Sequence, residues 1–342
     1  MGITPFGEVN GKPVHQIRLT AASGAEASVI SFGATLRDLI VPLRSGEKRR
    51  VVLGFEKLEG YRSGRSYLGA SCGRVSNRIA AGKFSLDGKS YSVSRNEDGR
   101  THLHGGMRGF SHRIWDIADH GDSHVTLRLV SPHGEEGYPG KVEALSTYRL
   151  SDAGTIRVEL GAETDAPTLV NMVNHSYFTL AENSEVWDHR LEIAAPFYTP
   201  VDPDLIPTGE ILSVAGTPFD FRKARPIRYV QDGKQADYDI NLVLDSLAPI
   251  GQEGDVAARA LSADGKLALE VATTEPGIQL YAGAALAQTG PGVGGQRHFP
   301  HAGFCLETQR FPDAIHHRHF PQATLRPGET QQQITEYRFK PL

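Results

Sequence analysis

Short runs in which apolar and polar residues alternate dominate the chain. In residues 125–130 ("VTLRLV") Val125, Leu127 and Leu129 fall on one side; Ile156, Val158 and Leu160 do the same in 155–160, and Leu267, Leu269 and Val271 in 266–273. Successive side chains of a strand point to opposite faces, so a period of two predicts half-buried antiparallel strands. Turn chemistry sits between these runs. Asp87-Gly88 interrupts "FSLDGKSYSV", the dipeptide that a two-residue hairpin with positive φ favours. "STYRLSDAGTIRVEL" and "ARALSADGKLALEV" repeat the device with longer turns. No window of a dozen residues carries a 3.6-residue apolar stripe, and "EKLEGY" (56–61) makes at most one short turn of helix. Many short strands with evenly spaced turns predict an all-β sandwich or barrel.

The 342 residues suffice for one large core, and there is neither a fixed-period repeat nor a low-complexity tract. The glycine-rich stretch 289–303 reads as a surface loop rather than a boundary. One domain over 1–342 is therefore expected. A net charge of −4 argues against nucleic-acid or anionic-membrane partners. The two cysteines, Cys72 and Cys305, are too few for a disulfide framework or a thiolate zinc site, which fits a reducing cytoplasm. The N-terminal stretch lacks an apolar core of signal-peptide length and no segment is long enough to span a bilayer, so a soluble, cytoplasmic, unanchored protein is expected.

Two glycine motifs carry little. "GKFSLDGKS" (82–90) has one residue too many for a phosphate-binding loop and sits in a hairpin without a helix; "GPGVGG" (290–295) lacks the flanking strand and helix. The histidines of "HLH" (102–104) and "HHRH" (316–319) are metal-ligand types, and an HxH on a strand would place both rings on one face. Spacing supplies no third or fourth ligand, so solvated or hydrogen-bonded histidines are the preferred reading and no metal is expected.

Other polar residues stand where a plain core would not have them. Asn77 and Arg78 lead into a strand. His104 precedes two glycines whose missing side chains would let a ligand approach the backbone. Asn174, His175 and Ser176 interrupt an apolar run, Asp239 and Gln279 sit at strand edges, and Glu307 follows Phe304-Cys305-Leu306. A carboxylate in a buried strand costs several kcal/mol unless compensated. Each residue alone also has a structural reading: ion-pair half, satisfied core histidine or turn former.

Together these stretches resemble the aldose 1-epimerase (galactose mutarotase) family nearly end to end. The resemblance is carried by "SFGATLRDLIVP", "VVLGFEKLEGY", "GRVSNRIAAGKFSLDGKSY", "LHGG", "GEEGYPG", "NHSYFTL", "DPDLIPTGEI", "TPFDFR", "DYDINLVL", "PGIQLY", "FCLETQRFPDA" and "LRPGE". It implies a large antiparallel β-sandwich (a supersandwich) with an open cleft for a small sugar substrate and no cofactor. Carried over by position, it implies Glu307 as general base and His175 as general acid. It likewise implies Asn77, Arg78, His104, Asp239 and Gln279 as sugar-binding residues. The chemistry suits these types. One acid and one base flanking a hemiacetal are enough to open the ring and close it on the other face, and a donor fork with an acceptor can orient a polyhydroxy ring. Glu307 is then tolerated because its strand would end in the catalytic cleft.

The chain departs from the family pattern at Val75-Ser76, at Thr101-His102 and at His316, Arg318 and His319. The added positive charge of the last loop keeps a hexose 6-phosphate substrate as an alternative, and a sugar-binding module without turnover is another. Retention of both Glu307 and His175 counts against the latter. Preferred aldose and the choice between monomer and homodimer stay open.

Overall fold

The computed structural model describes residues 2–181, 185–245 and 248–342. Antiparallel sheets form the molecule, with one short α-helix at Leu58–Ser63 and a few single 3₁₀ turns among the described residues. The alternating runs are strands with the predicted inward faces. His124–Ser131 buries Val125, Leu127 and Leu129, and Thr155–Thr164 buries Ile156, Val158, Leu160 and Ala162. Asp87 (φ 50°) and Gly88 (φ 76°) turn Lys83–Leu86 back onto Lys89–Ser92.

Leu267–Thr273 differs from the half-buried expectation, since all seven residues are buried. It lies between Gln331–Pro341 and Val256–Leu261 in a nine-stranded sheet. Its second face carries the small Ala268 and Ala272, and Glu270 is covered by ion pairs to Lys340 and Arg259. Interior position, rather than apolar composition, removes this face from water.

A second sheet takes the first five strands in sequence order, and a third runs Leu212–Ser213, Phe197–Thr199, Asp239–Val243, Gly277–Tyr281, Cys305–Gln309. Apolar faces of all three meet in one cluster that includes Leu19, Val29, Leu127, Val158, Leu242, Leu280 and Leu306. Residues 289–303 form a loop, tied down where Val293 N–H donates to Gly54 O and Gln296 Nε2 to Val52 O.

The third sheet positions the site by simple parity. Ile240, Leu242, Ile278, Leu280 and Leu306 point into the core. Their neighbours Asp239, Asn241, Gln279 and Glu307 therefore share the opposite face. Register places Asn241, Gln279 and Glu307 in one row across three strands. Glu307 is thus the middle residue of Cys305–Gln309, and the strand's face, not its end as expected, forms the cleft wall.

The opposite wall, residues 74–79, hangs on Arg74. Its side chain is fully buried and donates to Ser131 Oγ (2.9 Å) and to the carbonyls of Ser131, Pro132, Pro139 and Gly140 at 2.8–3.0 Å. Burial lowers its pKa only to about 10, so it stays cationic at neutral pH. Arg74→Ala strands those carbonyls without a donor. Urea unfolding should show a loss on the order of 3–5 kcal/mol; a loss near zero would mean that water replaces the guanidinium there.

Candidate active site

Six of the seven residues singled out from the sequence line one cleft of about 690 Å³: Asn77, Arg78, His104, His175, Asp239 and Glu307. The seventh, Gln279, sits one step behind. Its Nε2 donates to Asp239 Oδ1 (2.6 Å) and its Oε1 accepts from Gln309 Nε2 (3.2 Å), so its amide is engaged at both ends in orienting Asp239.

His175 reaches the cleft from the two-residue strand Val173–Asn174, paired with Ser71–Cys72. Its neighbours serve as scaffold: Asn174 Nδ2 donates to Gly69 O and Tyr148 Oη, and Ser176 Oγ donates to Asn174 Oδ1. The ring stacks on Tyr177 with centroids 5.2 Å apart and meets His104 edge-on at 5.1 Å. Nε2 then lies 3.6 Å from Glu307 Oε1, and Nδ1 lies 3.6 Å from Cys305 Sγ. His104 and Asn77 lock each other: His104 N–H donates to Asn77 O (3.0 Å), and Asn77 N–H donates to His104 Nδ1 (3.2 Å). Nε2 is therefore the ring atom of His104 left for the cleft.

Burial dominates the electrostatics. Glu307 is 2% exposed, and its Oε2 has no hydrogen-bond partner among the described residues. Desolvation, helped by the charge of Asp239 and opposed by Arg78, pushes its pKa well above the ordinary 4.5. Burial drives His175 the other way, to about 4, and His104 well below its usual value. Each shift favours the neutral form of a group withdrawn from water.

Two local expectations are corrected. Gly105 and Gly106 serve packing of the chain on itself rather than ligand approach: a Cβ on Gly105 would stand 1.7 Å from Gly73 O, and one on Gly106 2.2 Å from Glu136 Oε2. The rings of "HLH" do not act as a pair either. Positive φ at His104 (47°) breaks the strand parity, and His102 holds Ser94 O through Nδ1 and Tyr138 Oη through Nε2, both at 2.6 Å. The later histidines are hydrogen-bonded as well, His316 to Asp313, His317 to Pro207 O and His319 to Gly209 O.

His104, His175 and Glu307 offer ligand atoms within 4.8 Å of one another, close enough to hold a metal ion. Cleft residues that sequence reasoning missed include Glu97, which grips Arg78, and Tyr67 and Tyr281, which flank the His175 ring. Tyr67 has φ 51°, a strained backbone at the site that composition could not signal.

Residues 15–338 match the family model described as Aldose 1-epimerase. The chain belongs to the aldose 1-epimerase family. It is 41% identical over 343 residues to a galactose mutarotase of Rattus norvegicus, covering 98% of this chain and 97% of that one. It is 39% identical over 344 residues to an aldose 1-epimerase of Escherichia coli (strain K12), covering 98% of each. A crystal structure of an aldose epimerase homologue from C. elegans superposes with TM-score 0.89 at 29% identity, covering 96% of this chain and 99% of that one. The mutarotase-like β-sandwich expected for the family is the fold observed.

A raised carboxyl pKa is also a stability statement. Folded Glu307 holds its proton to higher pH than the unfolded chain does, so its contribution is fully present below about 4.5 and is lost as pH rises through the folded value. Glu307→Gln, which cannot ionise, should therefore match wild type at pH 4 and exceed it at pH 8 in urea unfolding. A difference that does not change with pH would contradict the burial argument.

Proposed function

We propose that the chain interconverts the α and β anomers of free aldohexoses such as galactose and glucose, with Glu307 as base and His175 as acid. Family membership supports the isomerase class and the sugar anomer as substrate. The family match over 15–338 supports treating 1–342 as one catalytic unit. One observation carries the roles: a buried carboxyl with an unpartnered oxygen, 3.6 Å from a buried imidazole, in a cleft wide enough for a hexose.

Opposed pKa shifts leave the pair one proton to share across neutral pH. In the arrangement that starts the reaction, Glu307 is anionic and His175 cationic. Glu307 removes the proton from the C1 hydroxyl, His175 protonates the ring oxygen, the bond between C1 and that oxygen breaks, and the C1 carbonyl forms. The pair then holds a neutral acid and a neutral imidazole, the arrangement that burial favours at rest. Rotation about C1–C2 presents the other carbonyl face, and reversal of both transfers closes the ring as the other anomer. No net proton is taken up. Arg78, as donor, and Asp239, as acceptor, hold the sugar hydroxyls, with Gln279 fixing Asp239 from behind. Asn77 and His104 complete the wall.

A hexose 6-phosphate would need a cluster of free arginines. In the cleft, Arg78 is gripped by Glu97 and faces the negative Asp239, which leaves Arg65 at the rim, so free sugars are the better supported substrates.

Polarimetry of freshly dissolved α-D-galactose and α-D-glucose tests the proposal. Wild type should speed the approach to anomeric equilibrium, Glu307→Gln should lower kcat by about 10²–10⁴-fold with binding retained, and EDTA should change nothing. Unaltered turnover in Glu307→Gln would remove the base, and chelator-sensitive turnover would restore the metal reading. The rate should be level across neutral pH. It should fall below about pH 4, where the pair takes a second proton, and fall again on the alkaline side, where the shared proton leaves. A rate that instead climbs steadily with pH would exclude a proton-carrying pair.

A further inference from the structure

Arg78 is 7% exposed and faces three carboxyl groups, Glu97, Asp239 and Glu307. Only one of them grips it. Nε and Nη2 donate in parallel to the two oxygens of Glu97, each at 2.7 Å, whereas Nη1 stands 3.7 Å from Asp239 Oδ2. This fork-to-fork geometry fixes the plane of the guanidinium as well as its place. Glu97 is itself clamped. Thr101 Oγ1 donates to its Oε2 at 2.7 Å, the backbones of Glu97 and Thr101 bond reciprocally, and Asn96 brackets the loop through both backbone groups of Leu103.

We infer that Glu97 is a positioning residue that acts through Arg78, turning the Nη1 edge toward the sugar site and keeping the cation off Glu307. The inference rests on the mutarotase reading above. A buried cation without its partner carboxylate seeks another, and the carboxyls left within reach are Asp239 and Glu307. In either place it disables the site: on Asp239 it occupies the sugar acceptor, and on Glu307 it makes the base a weaker one. In the cleft Glu307 feels Arg78, Asp239, His175 and His104; the buried groups that feel its charge, Cys72, Cys305, Tyr177 and Tyr337, are all held neutral by burial. Among these, Arg78 is the one permanent cation, so its tether decides how strongly Glu307 holds a proton.

The test compares wild type, Glu97→Gln and Thr101→Val by polarimetry over pH, with circular dichroism melts alongside. Glu97→Gln keeps the shape and removes the charge. It should raise KM, lower kcat by about tenfold, and move the alkaline limb of the profile to lower pH by about one unit. Thr101→Val, which only loosens the carboxylate, should move all three the same way by less, and it carries the test should Glu97→Gln fail to fold. Wild-type kinetics in both variants would overturn the inference, as would a lower melting temperature with an unmoved alkaline limb, since that is what a merely structural ion pair produces. Absence of mutarotation in wild type is the separate outcome that overturns the underlying reading.

Discussion

A carboxyl group held out of water 3.6 Å from an equally buried imidazole sets the terms for the rest of the cleft. Left alone, such a pair would lower stability, since neither charge is well solvated and Glu307 Oε2 has no bond among the described residues. It persists because three apolar faces supply the stability elsewhere and because Glu307 sits on a sheet face whose reverse side is core. The same burial that makes the pair costly makes it chemically useful. It raises the proton affinity of Glu307 and lowers that of His175, so that the neutral form of each is favoured.

Around that pair the cleft is assembled from two kinds of backbone. The third sheet is regular and presents Asp239, Asn241, Gln279 and Glu307 by parity alone. The facing wall is irregular: Tyr67, Asn77 and His104 all adopt positive φ without being glycine. Such conformations cost about 1–3 kcal/mol each and persist only where the surroundings determine them. Here the surroundings are the reciprocal bonds between Asn77 and His104, the cage of carbonyls on Arg74, and the glycines that let the chain pass within contact of Gly73. Regular structure fixes Glu307, and strained structure brings the neighbours of His175, and Arg78, up to it.

Much of this was legible in the sequence, for reasons that differ by element. The alternation of Val125, Leu127 and Leu129 and the turn at Asp87-Gly88 are local signals, and the structure follows them. Glu307 was visible because a carboxylate in an apolar run has no cheap explanation, but its row could not be read. Register with Gln279 and Asn241 joins residues far apart in the chain, and only pairing reveals that they share a face. The hydrogen-bonded reading preferred for "HLH" holds for His102, and the two rings do not share a face because the backbone leaves the strand at His104. Glu97 gave no signal at all. A glutamate in "RNEDGR" looks like any solvated loop charge until folding brings Arg78 against it.

Neutron diffraction at neutral pH on deuterium-exchanged crystals tests the central claim most directly. The account predicts one exchangeable proton in all, counting the carboxyl oxygens of Glu307 together with whatever His175 carries beyond a single ring proton. A bare carboxylate facing a neutral imidazole, or a protonated carboxyl facing an imidazolium, would contradict it.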